Sequence, residues 1–129
     1  MTFDALGIAG TGLTLHRHWL DAISDNIANI NTIKPTSGPA FQARYVVAQE
    51  GAGNSGVYVK GAAFGSADGI LAYDPTNPLA DADGMVKRPD IDLGTQMSEL
   101  IMAQRGYQAN ANVIDRAKTT YQAALQIGK

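Results

Sequence analysis

Every proline of the chain, Pro35, Pro39, Pro75, Pro78 and Pro89, falls between residues 33 and 91, together with eight of its fourteen glycines. An interior proline costs a helix about 3 kcal/mol, so uninterrupted helices are confined to the two ends. The N-terminal end uses that freedom. Leu6, Ala9, Leu13, His16, Leu20, Ile23, Ile27 and Ile30 follow one another at spacings of three and four, a heptad seam with His16 as its one polar member. Gly7, Gly10 and Gly12 weaken the first turns by up to about 1 kcal/mol each, so a firm helix is expected over residues 12–29, with a start that is frayed unless a neighbour holds it.

The C-terminal end keeps the same rhythm through Leu93, Met97, Leu100, Gln104, Tyr107, Ala111, Ile114, Lys118, Tyr121 and Leu125. Ile101, Val113, Ala117, Ala124 and Ile127 widen it on one flank. Asp90 or Asp92 is the expected N-cap and Gly128 the expected stop. At 1.5 Å per residue such a helix is about 50 Å long, at least the diameter of a compact domain of this size. The rest of the chain cannot wrap it. The two helices should pair with each other as an antiparallel coiled coil, either as a hairpin with solvent around it or with the surplus apolar stripe as an assembly surface in a larger helical bundle.

The fold class is therefore mainly α, with a small extended or β middle. Three segments follow: residues 1–31 (N-terminal helix), 32–89 (middle) and 90–129 (C-terminal helix). In the middle, residues 41–49, 57–60 and 69–73 are strand candidates, residues 50–56 a hairpin-like turn, and residues 74–84 an irregular loop. So few strands need the helices or a neighbour to be stable.

Composition narrows the chemistry. Charged residues are 17% of the chain and the net charge is −2, which speaks against a nucleic-acid footprint. The absence of cysteine removes disulfides, thiolate metal sites and cysteine nucleophiles. No run approaches the ~20 apolar residues of a membrane helix. With Asp4 and no basic residue before Arg17, there is no cleavable signal pattern, so the chain stays inside the cell or leaves by a route that cleaves none.

His16 and His18 lie about 200° apart on a helix and cannot share one ion. Asp81, Asp83 and Asp90 fit a calcium loop only with Leu79 at its first position and without the bidentate Glu; Asx turns explain the same residues. No dinucleotide, Walker or nucleophile-elbow motif is present. No catalytic residue, cofactor, metal or small-molecule substrate is expected.

The asparagines stand apart from this. Asn26, Asn29 and Asn31 gather where the first helix ends, and Asn110 and Asn112 sit inside the second, although Asn is a poor helix former. Asn29 or Asn31 suits a left-handed C-cap; alternatively the amides bond across helix interfaces and fix register.

Residues 24–32, Ser-Asp-Asn-Ile-Ala-Asn-Ile-Asn-Thr, resemble the signature that ends the first helix of flagellar rod and hook proteins. Residues 105–110, Arg-Gly-Tyr-Gln-Ala-Asn, followed by Ala117 and Lys118, are similar to the C-terminal signature of that family. Asp74, Pro75, Pro78, residues 81–84 and residues 86–93 look like the stretch particular to its proximal rod members. Asp25 and residues 16–19 depart from the pattern.

The resemblance implies a structural subunit of the bacterial flagellar basal-body rod. It would be exported by the flagellar type III apparatus without signal cleavage, polymerise through its terminal helices, and transmit torque across the periplasm. The implied partners are copies of itself, other rod proteins, and basal-body ring and export-gate components. On this reading Leu20, Ile23, Ile27, Leu100, Tyr107, Ile114, Tyr121 and Leu125 pack the assembly, and Asn26, Asn29 and Asn110 set its register. The alternatives are another flagellar axial subunit and a soluble helical-hairpin adaptor.

Overall fold

The computed structural model describes residues 2–128. In chain order the elements are α1 (Thr2–Ala28), β1 (Arg44–Glu50), β2 (Val57–Phe64), β3 (Ile70–Tyr73), β4 (Met85–Arg88) and α2 (Leu93–Ile127). The expected frayed start is absent, because α1 is helical from Thr2 through all three glycines. Gly12 is buried against the side chain of Asn110, a tertiary contact that offsets the low helix propensity of glycine.

Helix α1 does not end in a left-handed residue. No described non-glycine residue has a positive φ, so Asn29 and Asn31 are not left-handed caps. The chain leaves through tight turns, with Asn29 N–H bonded to Asn26 O (3.3 Å), Ile30 N–H to Ile27 O (3.3 Å) and Thr32 N–H to Asn29 O (2.9 Å). These bonds use carbonyls that a helix end leaves open. At the start of α2 the cap is Asp92 rather than Asp90. Its Oδ2 accepts from the Thr95 backbone N–H (2.7 Å) and hydroxyl (2.8 Å).

The middle forms two separate two-stranded sheets, β1 with β2 and β3 with β4. Residues 50–56 turn as expected, closed by Gly51 N–H donating to Gly56 O at 2.8 Å. The second sheet is antiparallel, pairing Ile70 with Arg88, Leu71 with Lys87, Ala72 with Val86 and Tyr73 with Met85. Strand β4 is the element that sequence patterning missed. Residues 74–84 form the loop between β3 and β4, and Asp74 N–H bonds Gly84 O at 2.9 Å across its base.

The described chain divides into two compact units that draw on all three sequence segments. One contains α1 up to Leu20, Val46–Gly61, and α2 from Leu100 onward; the other contains Asp21–Tyr45 and Ala62–Glu99. Among the described residues, the buried aliphatic side chains are Ala9, Ala22, Ile23, Ala40, Ala43, Val86 and Ala103, five of the seven being alanine. Small residues let backbones approach closely but bury little area each. Most large apolar side chains are accordingly left partly in solvent.

Candidate assembly interface

In the first unit, α1 meets α2 through glycines. A Cβ on Gly12 would collide with the Asn110 amide, and one on Gly106 with the His16 ring. His16 Nδ1 lies 2.7 Å from the Gly12 carbonyl one turn earlier. A carbonyl oxygen only accepts, so Nδ1 carries the proton and Nε2 is the atom turned to Gly106. The one polar member of the α1 seam thus fills the notch left by Gly106. Asn110 donates to its own helix, at Gly106 O (2.8 Å), so its contribution across the interface is packing against Gly12.

In the second unit, Asn26 has no solvent exposure, and its amide is fully engaged. Nδ2 donates to Arg44 O (3.0 Å) and to Gln96 Oε1 (2.9 Å), while Oδ1 accepts from Arg44 N–H (2.8 Å). One side chain therefore ties α1 to the start of β1 and to the first turns of α2. A buried amide stripped of such partners costs about 1–3 kcal/mol, which makes the arrangement selective for a single register. Asn29 instead donates back to Asp25 O (2.8 Å) and accepts from the Thr32 hydroxyl (3.1 Å), serving the exit turn. Gln96 is the functional candidate that sequence reasoning missed.

The packing candidates separate by exposure. Ile23 is buried; Leu20, Ile27, Leu100 and Ile114 are half-buried; Tyr107, Tyr121 and Leu125 are exposed. At about 100° per residue, Gln96, Ala103, Gly106, Asn110, Ile114 and Ala117, all buried or half-buried, share one face about 80° wide. Exposed Leu93, Met97 and Ile101 lie on one flank of that face, and exposed Met102, Val113 and Ile127 on the other. Two apolar strips therefore run beside the seam. No helix of the described residues is long and apolar enough to cross a membrane. Moving such strips from water to a protein surface is favourable at roughly 25 cal/mol per Å².

The acidic loop is occupied by its own turns. Asp81 Oδ1 accepts from Asp83 N–H (3.0 Å) and Met85 N–H (2.9 Å), and Oδ2 from the Thr36 hydroxyl (2.8 Å). The Met85 and Thr36 bonds hold its carboxyl below the usual carboxylate range. The bonds from Thr95 do the same to Asp92. Among the described residues no three His, Asp or Glu side chains are placed to hold a metal ion.

Residues 82–127 match the family described as flagellar basal body rod FlgEFG protein C-terminal. The chain is 36% identical over 126 residues to the flagellar basal-body rod protein FlgC of Escherichia coli O6:H1, covering 95% of this chain and 94% of that protein. It is 30% identical to FlgC of Bacillus subtilis, with 98% of each covered. Identity to FlgC of Borreliella burgdorferi is 33%, over 97% of this chain and 96% of that one.

Proposed function

The chain belongs to the FlgC family of flagellar basal-body rod proteins, and from that membership we propose that α1 and α2, paired as an antiparallel coiled coil, build it into the rod. It is a structural subunit of the flagellar basal-body rod, and not an enzyme. The antiparallel pairing is supported by the count of contacts. Gly12 meets Asn110 and His16 meets Gly106, so four residues forward in α1 match four backward in α2.

The observation that carries the assembly role is the pair of exposed apolar strips on α2. Leu20, Ile23, Ile27, Leu100 and Ile114 hold the subunit's own helices. Tyr107, Tyr121 and Leu125, with the strips, pack against copies of the chain and other rod proteins. Asn26 fixes register, Asn29 shapes the helix exit, and Asn110 packs against Gly12. Many weak apolar contacts acting in parallel give a stiff polymer, as torque transmission requires. The N-terminal and C-terminal helices supply that polymer, and the middle segment 32–89 supplies lateral contacts. Delivery by the flagellar type III apparatus suits a chain without cysteine, since it has no thiols to mispair in an oxidising space. Ring and export-gate components complete the set of partners.

A charge on an exposed strip of α2, at Met97 (45% exposed) or Ile101 (47%), tests this reading. Cells whose only copy carries Met97→Asp or Ile101→Asp should lack complete rods and be non-motile. Normal rods and motility with both changes would overturn it.

A further inference from the structure

The whole chain is close to neutral, but its two units are not. Among the described residues the first unit holds five lysines and arginines and three acids, the second four and nine. Three of the second unit's cations are engaged inside it: Arg44 with Asp25 (3.1 Å), Lys87 with Gly38 O (3.0 Å) and Arg88 with Asn31 Oδ1 (3.0 Å). Three of its carboxylates stand unbonded at the ends of the β3–β4 hairpin. The register that sets Ile70 opposite Arg88, continued two residues outward, sets Asp68 opposite Asp90. At the other end lies Asp83, in the loop closed by Asp74 and Gly84. All three are exposed, and their carboxylates bond no other described residue. Roughly 20 Å of strand separates the two ends. Between them β3 exposes Leu71 (58%) and Tyr73 (71%).

The first unit presents the opposite arrangement on α2. Arg105 and Arg116 are both exposed and have no ion pair or side-chain hydrogen bond among the described residues. Their separation in sequence returns them to within about 20° of each other, about 16 Å apart along the helix, on the side away from Asn110 and Ala117. Exposed Met102 (53%) and Val113 (45%) lie just before them, close to one turn back. Asp115 is the one acid on this stretch of helix, and it lies about 100° round from Arg116. An apolar strand with acids at both ends therefore matches a helix back with apolar side chains and two cations at similar spacing. Burial of the apolar side chains supplies affinity, and the exposed charges set partner and orientation. The chain itself carries both halves of the contact, which commits the partner to a second copy. The two surfaces differ, so joining them between copies builds a ring or a helical filament and not a two-fold dimer. We infer that copies of this chain associate head to tail, with the Asp68, Asp83 and Asp90 hairpin of one against the Arg105–Arg116 face of the next. The inference rests on the rod reading, which supplies the polymer in which copies are neighbours.

Carbodiimide coupling in assembled basal bodies tests this, because the reagent joins a carboxylate to an amine only where the two touch. Basal bodies are purified from cells whose only copy of the full chain carries Arg105→Lys and Arg116→Lys, changes that keep the charge and supply the amine. After coupling, dimers of this chain are isolated and their joined peptides sequenced. The expected bond links position 105 or 116 of one copy to Asp68, Asp83 or Asp90 of another. Adding Asp68→Asn, Asp83→Asn and Asp90→Asn should abolish that product. Bonds from 105 or 116 only to other carboxylates or to other proteins, or no such bond at all, would overturn the head-to-tail contact and leave the rod reading standing. So would exclusion of the Arg→Lys chain from basal bodies that accept the unsubstituted one, since the contact needs only the charge. Absence of the unsubstituted chain from basal bodies would instead overturn the rod reading.

Discussion

Asn26 donates a 2.9 Å hydrogen bond to the side-chain oxygen of Gln96, and both residues are buried, at 0% and 2% exposure. The same Asn26 amide also exchanges two bonds with the Arg44 backbone. A buried polar pair of this kind adds little net stability when satisfied and costs much when broken. Its effect is to make any other register expensive.

Asn26→Ala should therefore lower the unfolding free energy of the isolated chain by about 2–4 kcal/mol, as unpaired groups at Arg44 and Gln96 add to the lost bonds. Gln96→Ala should cost less, because the Arg44 bonds survive. Denaturant melts of both single variants and the double variant should give a coupling energy of about 1 kcal/mol. Full additivity would show that the pair does not act as a unit.

Glycine substitutions should split by sign. Gly106→Ala drives a methyl into the His16 ring and Gly12→Ala into the Asn110 amide, and such overpacking costs about 1–3 kcal/mol. At Gly7 and Gly10 an added Cβ meets nothing within 4 Å, so alanine there should stabilise α1 by up to about 1 kcal/mol. Thermal melts of the four variants decide it.

Acid should destabilise the chain through Asp81 and Asp92. Both carboxyls titrate below their ordinary value of 3.8 because they accept backbone and hydroxyl bonds. A folded-state pKa below the unfolded one contributes stability that is complete above pH 3.8 and is lost as pH falls through the folded value. Melting temperature against pH should drop on the acid side of that point. Asp92→Ala should destabilise at neutral pH, through loss of the cap, and should make the acid drop shallower.

Hydrogen exchange should differ between subunit and polymer. In the isolated chain, amides of residues 113–127, whose side chains are mostly exposed, should exchange about tenfold or more faster than those of residues 22–26, around buried Ile23 and Asn26. In assembled rods the difference should shrink. Equal protection in the free chain would mean that the exposed strips of α2 add nothing on assembly.

What could be read from the sequence was what local chemistry decides. The proline distribution confined long helices to the ends, and the N-cap was narrowed to Asp90 or Asp92 because it follows Pro89. Three of the four strands and the turn at residues 50–56 carried their own glycine and β-branched signals. Strand β4 did not, because Met85–Arg88 is short and follows an acidic loop; what makes it a strand is its partner, Ile70–Tyr73. Gln96 escaped for the same reason, since its bonding partner is 70 positions away. Within α1, Gly12 is buried against the Asn110 side chain, a contact no propensity scale contains. Asn29 misled in the opposite direction: the residue suits a left-handed cap, but its amide is used in bonds to Asp25 and Thr32.

The most direct test is electron cryo-microscopy of basal bodies purified from cells that make this chain, at a resolution that shows side chains. The account predicts density in the rod for α1 and α2 of this chain, antiparallel with Gly12 opposite Asn110, and with Leu93, Met97 and Ile101 covered by a neighbouring subunit. Rods that lack this chain, or that contain it with those three residues facing solvent, would contradict it.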